Sequence, residues 1–168
     1  CEIIAGQQVN VAHMGPPLST GDKLSPHCSG TVPLDLNEIK AIESWMKRVA
    51  DEYEHAKLTK PEQYIIDPPW QDAEDPNTGT RYYRRYSCAG FVMDAHRQVQ
   101  IELLEWSDGG LPEVDAVTIK HAYGVDPKRL AQFGLTGDGP WKIVLAGYVM
   151  HSLNRPTEEI RREPYKAK

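Results

Sequence analysis

The residue with the clearest chemical potential in this chain is Cys88, whose thiol opens a predicted helix. Ser87, just before it, is a good N-cap residue, because its hydroxyl accepts one of the backbone N–H groups that the first helical turn leaves unbonded. Cys88 is then the first helical residue, where these N–H groups and the helix dipole favour negative charge and stabilise a thiolate. The competing interpretation is a small buried thiol that only packs against the core.

The neighbouring elements place Cys88 at a strand-to-helix corner. Residues 81–86 are strand-like and predict one arm of a β-hairpin, with residues 63–66 as the other arm. The polar loop between the arms has strong turn chemistry at 75–79. After the cysteine, the small residues 89–90 leave room for a ligand or another strand. Apolar residues then recur at three- and four-residue steps, which predicts a helix. These residues are Phe91, Val92, Ala95, Val99 and Leu103.

A nucleophilic cysteine needs an imidazole that takes its proton and later returns it to the leaving group, and three histidines are candidates for this base. His13 ends a strand-like segment, and His27 lies in a long loop rich in Gly and Pro. His151 ends the apolar run 141–150, which predicts a central strand, with a buried helix as second choice. An ordinary surface or strand-end histidine is the alternative at each position, and the sequence does not choose among the three.

The other three histidines are assigned to packing or to solvent. His96 follows Cys88 by eight residues, roughly 12 Å along one helix axis, which is too far for a direct bond. We expect it to pack at the edge of the apolar stripe. His55 lies among charged residues late on a long helix and is predicted to be solvated, whereas His121 is predicted to lie in a loop.

Four further elements complete the predicted chain. Residues 35–58 form the clearest helix, with an Asp cap and a Glu three residues later that make a capping box. Residues 114–119 are predicted to form a short strand. Residues 126–134 predict a compact helix that begins Asp-Pro and ends at Gly. The charged tail after Pro156 is predicted to be a peripheral helix or frayed.

The stretch Cys88-Ala89-Gly90-Phe91-Val92 resembles the Cys-Ser-Gly-Phe-Val helix start of NlpC/P60-type papain-like cysteine peptidases. The Leu111-Pro112 turn and the helix that follows it are similar to the circularly permuted branch, in which the His-bearing strand precedes the Cys. The resemblance covers roughly residues 82–134 and implies that Cys88 is a nucleophile. Ala89 stands where the family has Ser. The nearest match upstream to the family's Gly-His-aliphatic motif is Ala12-His13-Met14-Gly15.

Composition and charge limit the classes of protein that fit. With 168 residues, 40% apolar and 26% charged, the chain is predicted to form one α+β domain over 1–168, with a loop-rich segment at 1–34 and a charged tail at 156–168. The net charge of −5 argues against nonspecific nucleic-acid binding, and no apolar run is long enough to span a membrane. No Gly-rich phosphate loop, CxxC or HxxxH pattern predicts a cofactor or a metal.

The sequence does not decide the nature of residue 1, which is one of the cysteines. Three cysteines allow at most one disulfide. Cys1 fits a shortened chain, a processed precursor, a lipid-modified lipoprotein end or the N-terminal nucleophile of a self-activating amidohydrolase. An extracytoplasmic location follows if Cys1 is a processed mature N-terminus.

Two functions are therefore predicted. The first is a cysteine hydrolase or acyltransferase of papain-like α+β architecture, with an antiparallel sheet and a nucleophile-bearing helix. In it Cys88 attacks an amide or ester carbonyl, and His13, or as second choice His151, is the base. By resemblance, its substrate is a peptide or a cell-wall amide. The second is a non-catalytic binding or accessory subunit on the same scaffold, with a protein partner and possible lipid attachment at Cys1.

Overall fold

The chain mixes helices with small antiparallel sheets, which confirms the α+β class at a coarse level. A computed structural model describes residues 10–14, 18–23, 32–75, 77–79, 82–107 and 110–167. The helices are α1 (Leu36–Ala56), α2 (Lys60–Gln63), α3 (Cys88–Arg97), α4 (Ala116–Tyr123), a 3-10 helix (Pro127–Phe133), α5 (Ala146–Leu153) and α6 (Thr157–Arg162). The strands are β1 (Asn10–Met14), β2 (Leu18–Lys23), β3 (Trp70–Glu74), β4 (Tyr82–Tyr86), β5 (Glu113–Val114) and β6 (Trp141–Lys142).

Helix α1 begins where its sequence predicts and ends at Ala56, two residues before the predicted end at residue 58. The Asp35 carboxylate accepts hydrogen bonds from the backbone N–H groups of Asn37 and Glu38, at 2.7 and 2.9 Å. The Glu38 carboxylate in turn accepts from the Asp35 N–H at 2.8 Å, so the predicted capping box is confirmed. The helix ends where Lys57 adopts a left-handed conformation with φ 51°. Its buried stripe consists of Trp45, Val49, Tyr53 and Ala56.

The predicted hairpin exists, but its first arm was assigned to the wrong residues. Strand β4 pairs with β3, in a register that places Trp70 opposite Tyr86. Residues 63–66 contribute only an isolated parallel bridge between Tyr64 and Tyr86. Ile66 instead donates its N–H to the Phe133 carbonyl at 2.9 Å. Both Ile65 and Ile66 are fully buried, so this segment is an interior connection rather than a strand with one exposed face.

The apolar run 141–150 is not the central strand that was predicted. Only its first two residues form a strand, β6, which pairs with β5. Ile143 and Val144 form a buried connection, and helix α5 begins at Ala146. The end of the run is helical, but it is not the buried helix of the second choice, because only Val149 and Ser152 of α5 are buried. His151 lies in the last turn of α5 rather than at the end of a strand.

The segment 114–119 was likewise predicted as strand and is mostly helical. Asp115 accepts a hydrogen bond from the N–H of Thr118 at 2.7 Å and so caps α4. His121 consequently lies on α4 and not in a loop. The compact helix over 126–134 is confirmed, in 3-10 form, with Asp126 as its cap and Gly134 after its end. In the tail, α6 confirms the predicted peripheral helix.

Helix α3 lies at the centre of the described structure. It contacts α1, α5, β1 and β4. One face packs into an aromatic cluster, where the Phe91 ring lies 5.0 Å from that of Trp45 and 5.6 Å from that of Tyr86. The other face, through Ala89 and Met93, packs against a second cluster that includes Val149 of α5. The Cys88 thiol therefore lies on a helix that is packed against a buried cluster on each of two faces.

Candidate active site at the start of helix α3

Cys88 occupies the first position of α3, as predicted, and its side chain is half-buried. Strand β4 ends at Tyr86, and Ser87 turns the chain into the helix. The Ser87 hydroxyl accepts a hydrogen bond from the N–H of Gly90 at 2.9 Å, and its carbonyl accepts from Phe91 at 2.9 Å. These bonds fix the direction of the first turn and leave the early N–H groups facing the same end of the helix as the thiol.

The space expected beside the small residues 89–90 is filled, at Gly90, by another segment of the same chain. A Cβ at Gly90 would collide with the carbonyl oxygen of Pro69. That carbonyl also accepts a hydrogen bond from the N–H of Ser87 at 2.9 Å. Glycine is needed here because the backbone of residue 69 crosses directly over the first turn of α3. The crossing fixes the corner that carries Cys88.

The thiol faces the phenol of Tyr64. The Tyr64 hydroxyl oxygen lies 3.5 Å from Cys88 Sγ, within hydrogen-bond distance for sulfur. Only 5% of Tyr64 is exposed, and its ring packs edge-on against Phe133 at 6.0 Å. Burial raises the pKa of Tyr64, and the charge and hydrogen bond of Cys88 raise it further, although the Cys88 backbone N–H acts in the opposite direction. The phenol therefore keeps its proton at neutral pH.

A second tyrosine lies close enough to Cys88 to interact with it electrostatically. Burial, followed by the charge of Cys88, raises the pKa of Tyr123 on α4 to about 12. Neither tyrosine was predicted as a site residue, because residues 63–66 were assigned to a hairpin arm and Tyr123 lies two residues after His121, which was predicted to lie in a loop. No local pattern connects positions 64, 88 and 123, which meet only once residues 66–69 have packed across α3.

Arg85 holds the backbone that carries Tyr64. Its Nη2 atom donates to the carbonyl oxygens of Tyr64 at 2.7 Å, of Gln132 at 2.9 Å and of Pro61 at 3.2 Å. One guanidinium thereby links three separate segments beside the phenol. Within the described residues, its Nε is buried and has no hydrogen-bond partner. We infer that Arg85 positions Tyr64 rather than contacting a ligand itself.

The first predicted base, His13, lies on a strand that neighbours the nucleophile helix. Strand β1 carries His13 and packs beside α3, and within its hairpin His13 is paired with Ser19. The two elements that bear the predicted nucleophile and base are therefore adjacent. The third candidate, His27, lies outside the described residues, as do Cys1 and Cys28.

The second predicted base, His151, is exposed on α5 and faces another residue. Its ring stacks on Tyr165 at 6.2 Å with an interplanar angle of 24°. Helix α5 does pack against α3, but none of the contacts described for His151 reaches Cys88. His96, by contrast, packs as expected: its ring nitrogen lies 2.8 Å from the Val92 carbonyl, and burial lowers its pKa.

A second polar group is centred on Asp94, six residues after Cys88 on α3. The Asp94 carboxylate, whose side chain is only 3% exposed, accepts from Arg84 Nη1 at 3.1 Å and from the Tyr86 hydroxyl at 2.8 Å. Arg84 also donates to both carboxylate oxygens of Asp72, at 2.7 and 3.2 Å. Burial raises the pKa of Tyr86, and the neighbouring Asp94 raises it further. We refer to Asp72, Arg84, Tyr86 and Asp94 as the Asp94 network.

The Asp94 network forms one wall of a polar pocket of about 320 Å³. Buried rings form much of its floor, and charged side chains of α1 stand at its rim. Cys88 is not among the residues that line it. The lining residues are Trp45, Arg48, Val49, Glu52, Asp72, Tyr83, Arg84, Tyr86, Asp94 and Gln98.

The described ranges contain no group of three or more His, Cys, Asp or Glu side chains that could hold a metal ion. In the same ranges, no helix combines the length and apolar character that crossing a membrane requires.

Comparison with known proteins leaves the family open. No family model matches the chain, and neither the search of curated proteins nor that of solved structures returns a significant match. The resemblance of residues 88–92 to NlpC/P60-type peptidases therefore stays a prediction from the sequence.

Proposed function

We propose that this protein is a cysteine hydrolase or acyltransferase of the papain-like class, with Cys88 as its nucleophile. The observation that carries the proposal is the position of the thiol: it is half-buried, stands first on a capped helix and has a protonated phenol beside it. The adjacency of β1 and α3 supports His13 as the base, since a strand that carries a histidine and precedes the cysteine is the order of the permuted NlpC/P60 branch.

The reaction follows from these groups. His13 takes the proton of Cys88, and the thiolate attacks the carbonyl carbon of an amide or ester to form a C–S bond. The electron pair of the carbonyl moves to its oxygen, which the backbone N–H of Cys88 stabilises. When the pair returns, the bond to the amine or alcohol breaks, and the imidazolium returns its proton to the leaving group. Water or a second acceptor then cleaves the thioester. By resemblance, the acyl donor is a peptide or a cell-wall amide.

The test is site-by-site alkylation by iodoacetamide, read by mass spectrometry on the folded protein. At pH 6 an ordinary thiol, with a pKa of about 8.5, is almost wholly protonated and reacts slowly. We expect Cys88 to react at pH 6 at a rate at least about tenfold above that of the unfolded chain, because the thiolate is the reactive form. His13→Ala should abolish most of this excess, and His151→Ala should leave it unchanged. A Cys88 that reacts only after unfolding would show that the thiol is core packing.

The polar pocket supports a second candidate function, a non-catalytic binding or accessory protein. Arg48 and Glu52 stand at its rim one helical turn apart and can face a ligand, while the Asp94 network holds the opposite wall rigid. In this case the pocket binds the partner and Cys88 has no chemical role. Cys88→Ser separates the two functions, because it removes acyl transfer completely and leaves pocket binding intact.

A further inference from the structure

We propose that the polar pocket beside the Asp94 network binds a primary alkylammonium group, with Asp94 Oδ1 as its hydrogen-bond acceptor. The inference rests on the second candidate function, for which it names the chemical class of the ligand, and it does not depend on acyl transfer. Cys88 is not among the residues that line the pocket. A small free amine and the side chain of a lysine on another protein both carry this charged group.

The acceptor is one oxygen of a buried carboxylate. The hydrogen bonds described for this side chain, from Arg84 and from Tyr86, both go to Asp94 Oδ2. Oδ1 is paired with Arg97, whose Nη1 lies 3.8 Å away, beyond the distance of an N–H···O bond. The side chain of Asp94 is only 3% exposed. Because a buried acceptor without a donor costs free energy, a ligand that brings an N–H group to Oδ1 is stabilised there.

Other contacts of Arg97 keep it at this distance from Asp94. Its Nε donates to the Glu102 carboxylate at 3.2 Å, and its guanidinium lies over the ring of Trp70, 5.0 Å from the ring centre. The side chain of Arg97 is 41% exposed and does not line the pocket, whereas Asp94 does. A donor that enters the pocket can therefore reach Asp94 without displacing Arg97.

The charges that line the pocket favour a cation over an anion. Three carboxylates stand against two guanidinium groups: those of Glu52, Asp72 and Asp94 against those of Arg48 and Arg84. Arg84 is shared between Asp72 and Asp94, to which it donates three hydrogen bonds. One guanidinium therefore serves two carboxylates on this wall, and the excess negative charge lies where the ligand's ammonium group is expected.

A single open acceptor favours an ammonium over a guanidinium. A guanidinium binds best when both oxygens of one carboxylate meet two of its parallel N–H groups. Here Arg84 and Tyr86 occupy Asp94 Oδ2, and Arg84 occupies both oxygens of Asp72. An ammonium is a compact charge that one oxygen can accept. The rings of Trp45 and Tyr86, which are 4% and 1% exposed, offer apolar contact to the alkyl chain beside it.

The first experiment titrates n-butylammonium into the whole folded chain and follows it by 15N–1H NMR. We expect a Kd on the order of 1 mM, as the size of this ligand allows, and the largest shifts at the Trp45 indole N–H and the Asp94 backbone N–H. n-Butanol lacks the charge, and n-butyltrimethylammonium keeps it but has no N–H donor, so both should bind at least about tenfold more weakly. Shifts confined to other residues, or equal binding of either analogue, overturn the proposal.

The acceptor is tested with Asp94→Asn. Arg84 and Tyr86 both need an acceptor at the Oδ2 position, so the amide oxygen takes that place and the NH2 group replaces Oδ1. An NH2 group repels an ammonium, and we expect binding to weaken more than about tenfold. Asp51→Asn, an exposed carboxylate of α1 outside the lining, removes the same charge and should change the Kd less than about twofold. A folded Asp94→Asn protein that binds as wild type does contradicts the proposal.

A second variant keeps the test decisive if Asp94→Asn does not fold. Gln98→Glu adds a carboxylate to the lining, and we expect it to tighten n-butylammonium binding at least about threefold. Gln132→Glu adds the same charge on the exposed 3-10 helix, outside the lining, and should change the Kd less than about twofold. Equal effects of the two variants, or weaker binding by Gln98→Glu, overturn the proposal.

Two further arms identify the source of the amine and separate this inference from the proposed function. An acetylated and amidated Gly-Lys-Gly peptide carries the same butylammonium group: tighter binding than n-butylammonium supports a lysine of a protein partner, and weaker binding supports a small free amine. Cys88→Ser should bind n-butylammonium as wild type does. Wild-type protein that is acylated but binds no n-butylammonium overturns the ammonium site alone, whereas protein that binds it but is not acylated overturns the hydrolase alone.

Discussion

Helix α3 carries two polar groups of opposite character. At its first residue, the Cys88 thiol faces the neutral phenols of Tyr64 and Tyr123. Six residues later, about 9 Å along the axis, the Asp94 carboxylate is buried and bonded to a guanidinium and a phenol. Both groups lie on the same enclosed helix, but the contacts described for Asp94 include an oppositely charged guanidinium, whereas those described for Cys88 are with uncharged phenols.

Helix α3 thus carries a buried carboxylate with a structural role and a thiol for which a chemical role is proposed. A buried carboxylate destabilises the protein when it loses its partners. The bond between Asp94 and Arg84 therefore fixes β4 relative to α3. A thiol tolerates partial burial in its neutral form and gains hydrogen bonds when it ionises. Under the proposed function, reaction at Cys88 changes the charge of a group whose described neighbours are neutral phenols, whereas loss of the Asp94 carboxylate deprives Arg84 and Tyr86 of a hydrogen-bond acceptor.

The largest effect is expected when Asp94 is removed. Asp94→Ala leaves the hydroxyl of Tyr86, which is 1% exposed, without its acceptor, and deprives Arg84 of one of its two carboxylates. We expect a loss of about 3 kcal/mol in the free energy of unfolding, measured by urea denaturation. Asp72→Ala is the matched control: its side chain is 60% exposed, and we expect it to cost less than about 1 kcal/mol. Equal losses for the two variants would show that burial does not separate the two carboxylates.

A smaller effect is expected at Gly90, where the chain crosses itself beside the thiol. The methyl group of Gly90→Ala meets the Pro69 carbonyl, and relieving this collision should cost roughly 1–3 kcal/mol of stability and displace the corner that carries Cys88. Gly147→Ala on α5 is the control, because nothing lies within 4 Å of its Cβ, and alanine should stabilise that helix by up to about 1 kcal/mol. Thermal unfolding of both variants measures the difference. A stabilised Gly90→Ala would mean that residue 69 does not cross the helix as described.

The parts of the fold that the sequence predicted correctly are set by bonds within one helical turn. Asp35 and Glu38 cap α1, and Ser87 caps α3, through contacts that span two or three residues. The position of Cys88 at a helix start follows from such a cap and from the apolar spacing after it. Hydrogen bonds between residues two or three positions apart set these features, so a sequence pattern predicts them.

The features that the sequence did not predict depend on contacts between distant segments. Residues 63–66 look like a strand, but burial of Ile65 and Ile66 on both sides makes them an interior connection. The run 141–150 is apolar throughout, so its periodicity does not distinguish strand from helix, and the division at Ala146 comes from tertiary packing. The partner of the thiol, Tyr64, is placed by Arg85 and by the crossing at Pro69, which no local pattern encodes.

The smallest effect is expected for the ion pair between Arg161 and Glu38, which is more exposed to water than the Asp94 carboxylate. Arg161 of α6 donates to both carboxylate oxygens of Glu38, at 2.8 and 2.9 Å, and to the Pro33 carbonyl at 2.7 Å. The side chains of Arg161 and Glu38 are 38% and 17% exposed, so water screens the pair more than it screens Asp94. The hydrogen bonds from Arg161 to Glu38, followed by the one from the Asp35 N–H, lower the pKa of Glu38 from 4.5 to about 2.

Because the pKa of Glu38 is lower in the folded chain than in the unfolded one, the pair stabilises the fold above about pH 4.5, and this contribution disappears as the pH falls toward about 2. Arg161→Ala should therefore cost less than about 1 kcal/mol at pH 7 and flatten the decline in unfolding free energy between those pH values. Arg162→Ala, which removes a neighbour that is 70% exposed and paired with Glu163, should leave the decline unchanged. If Arg161→Ala and wild type lose stability in parallel below pH 4.5, the proton uptake occurs elsewhere, and the ion pair between Arg161 and Glu38 does not account for the decline.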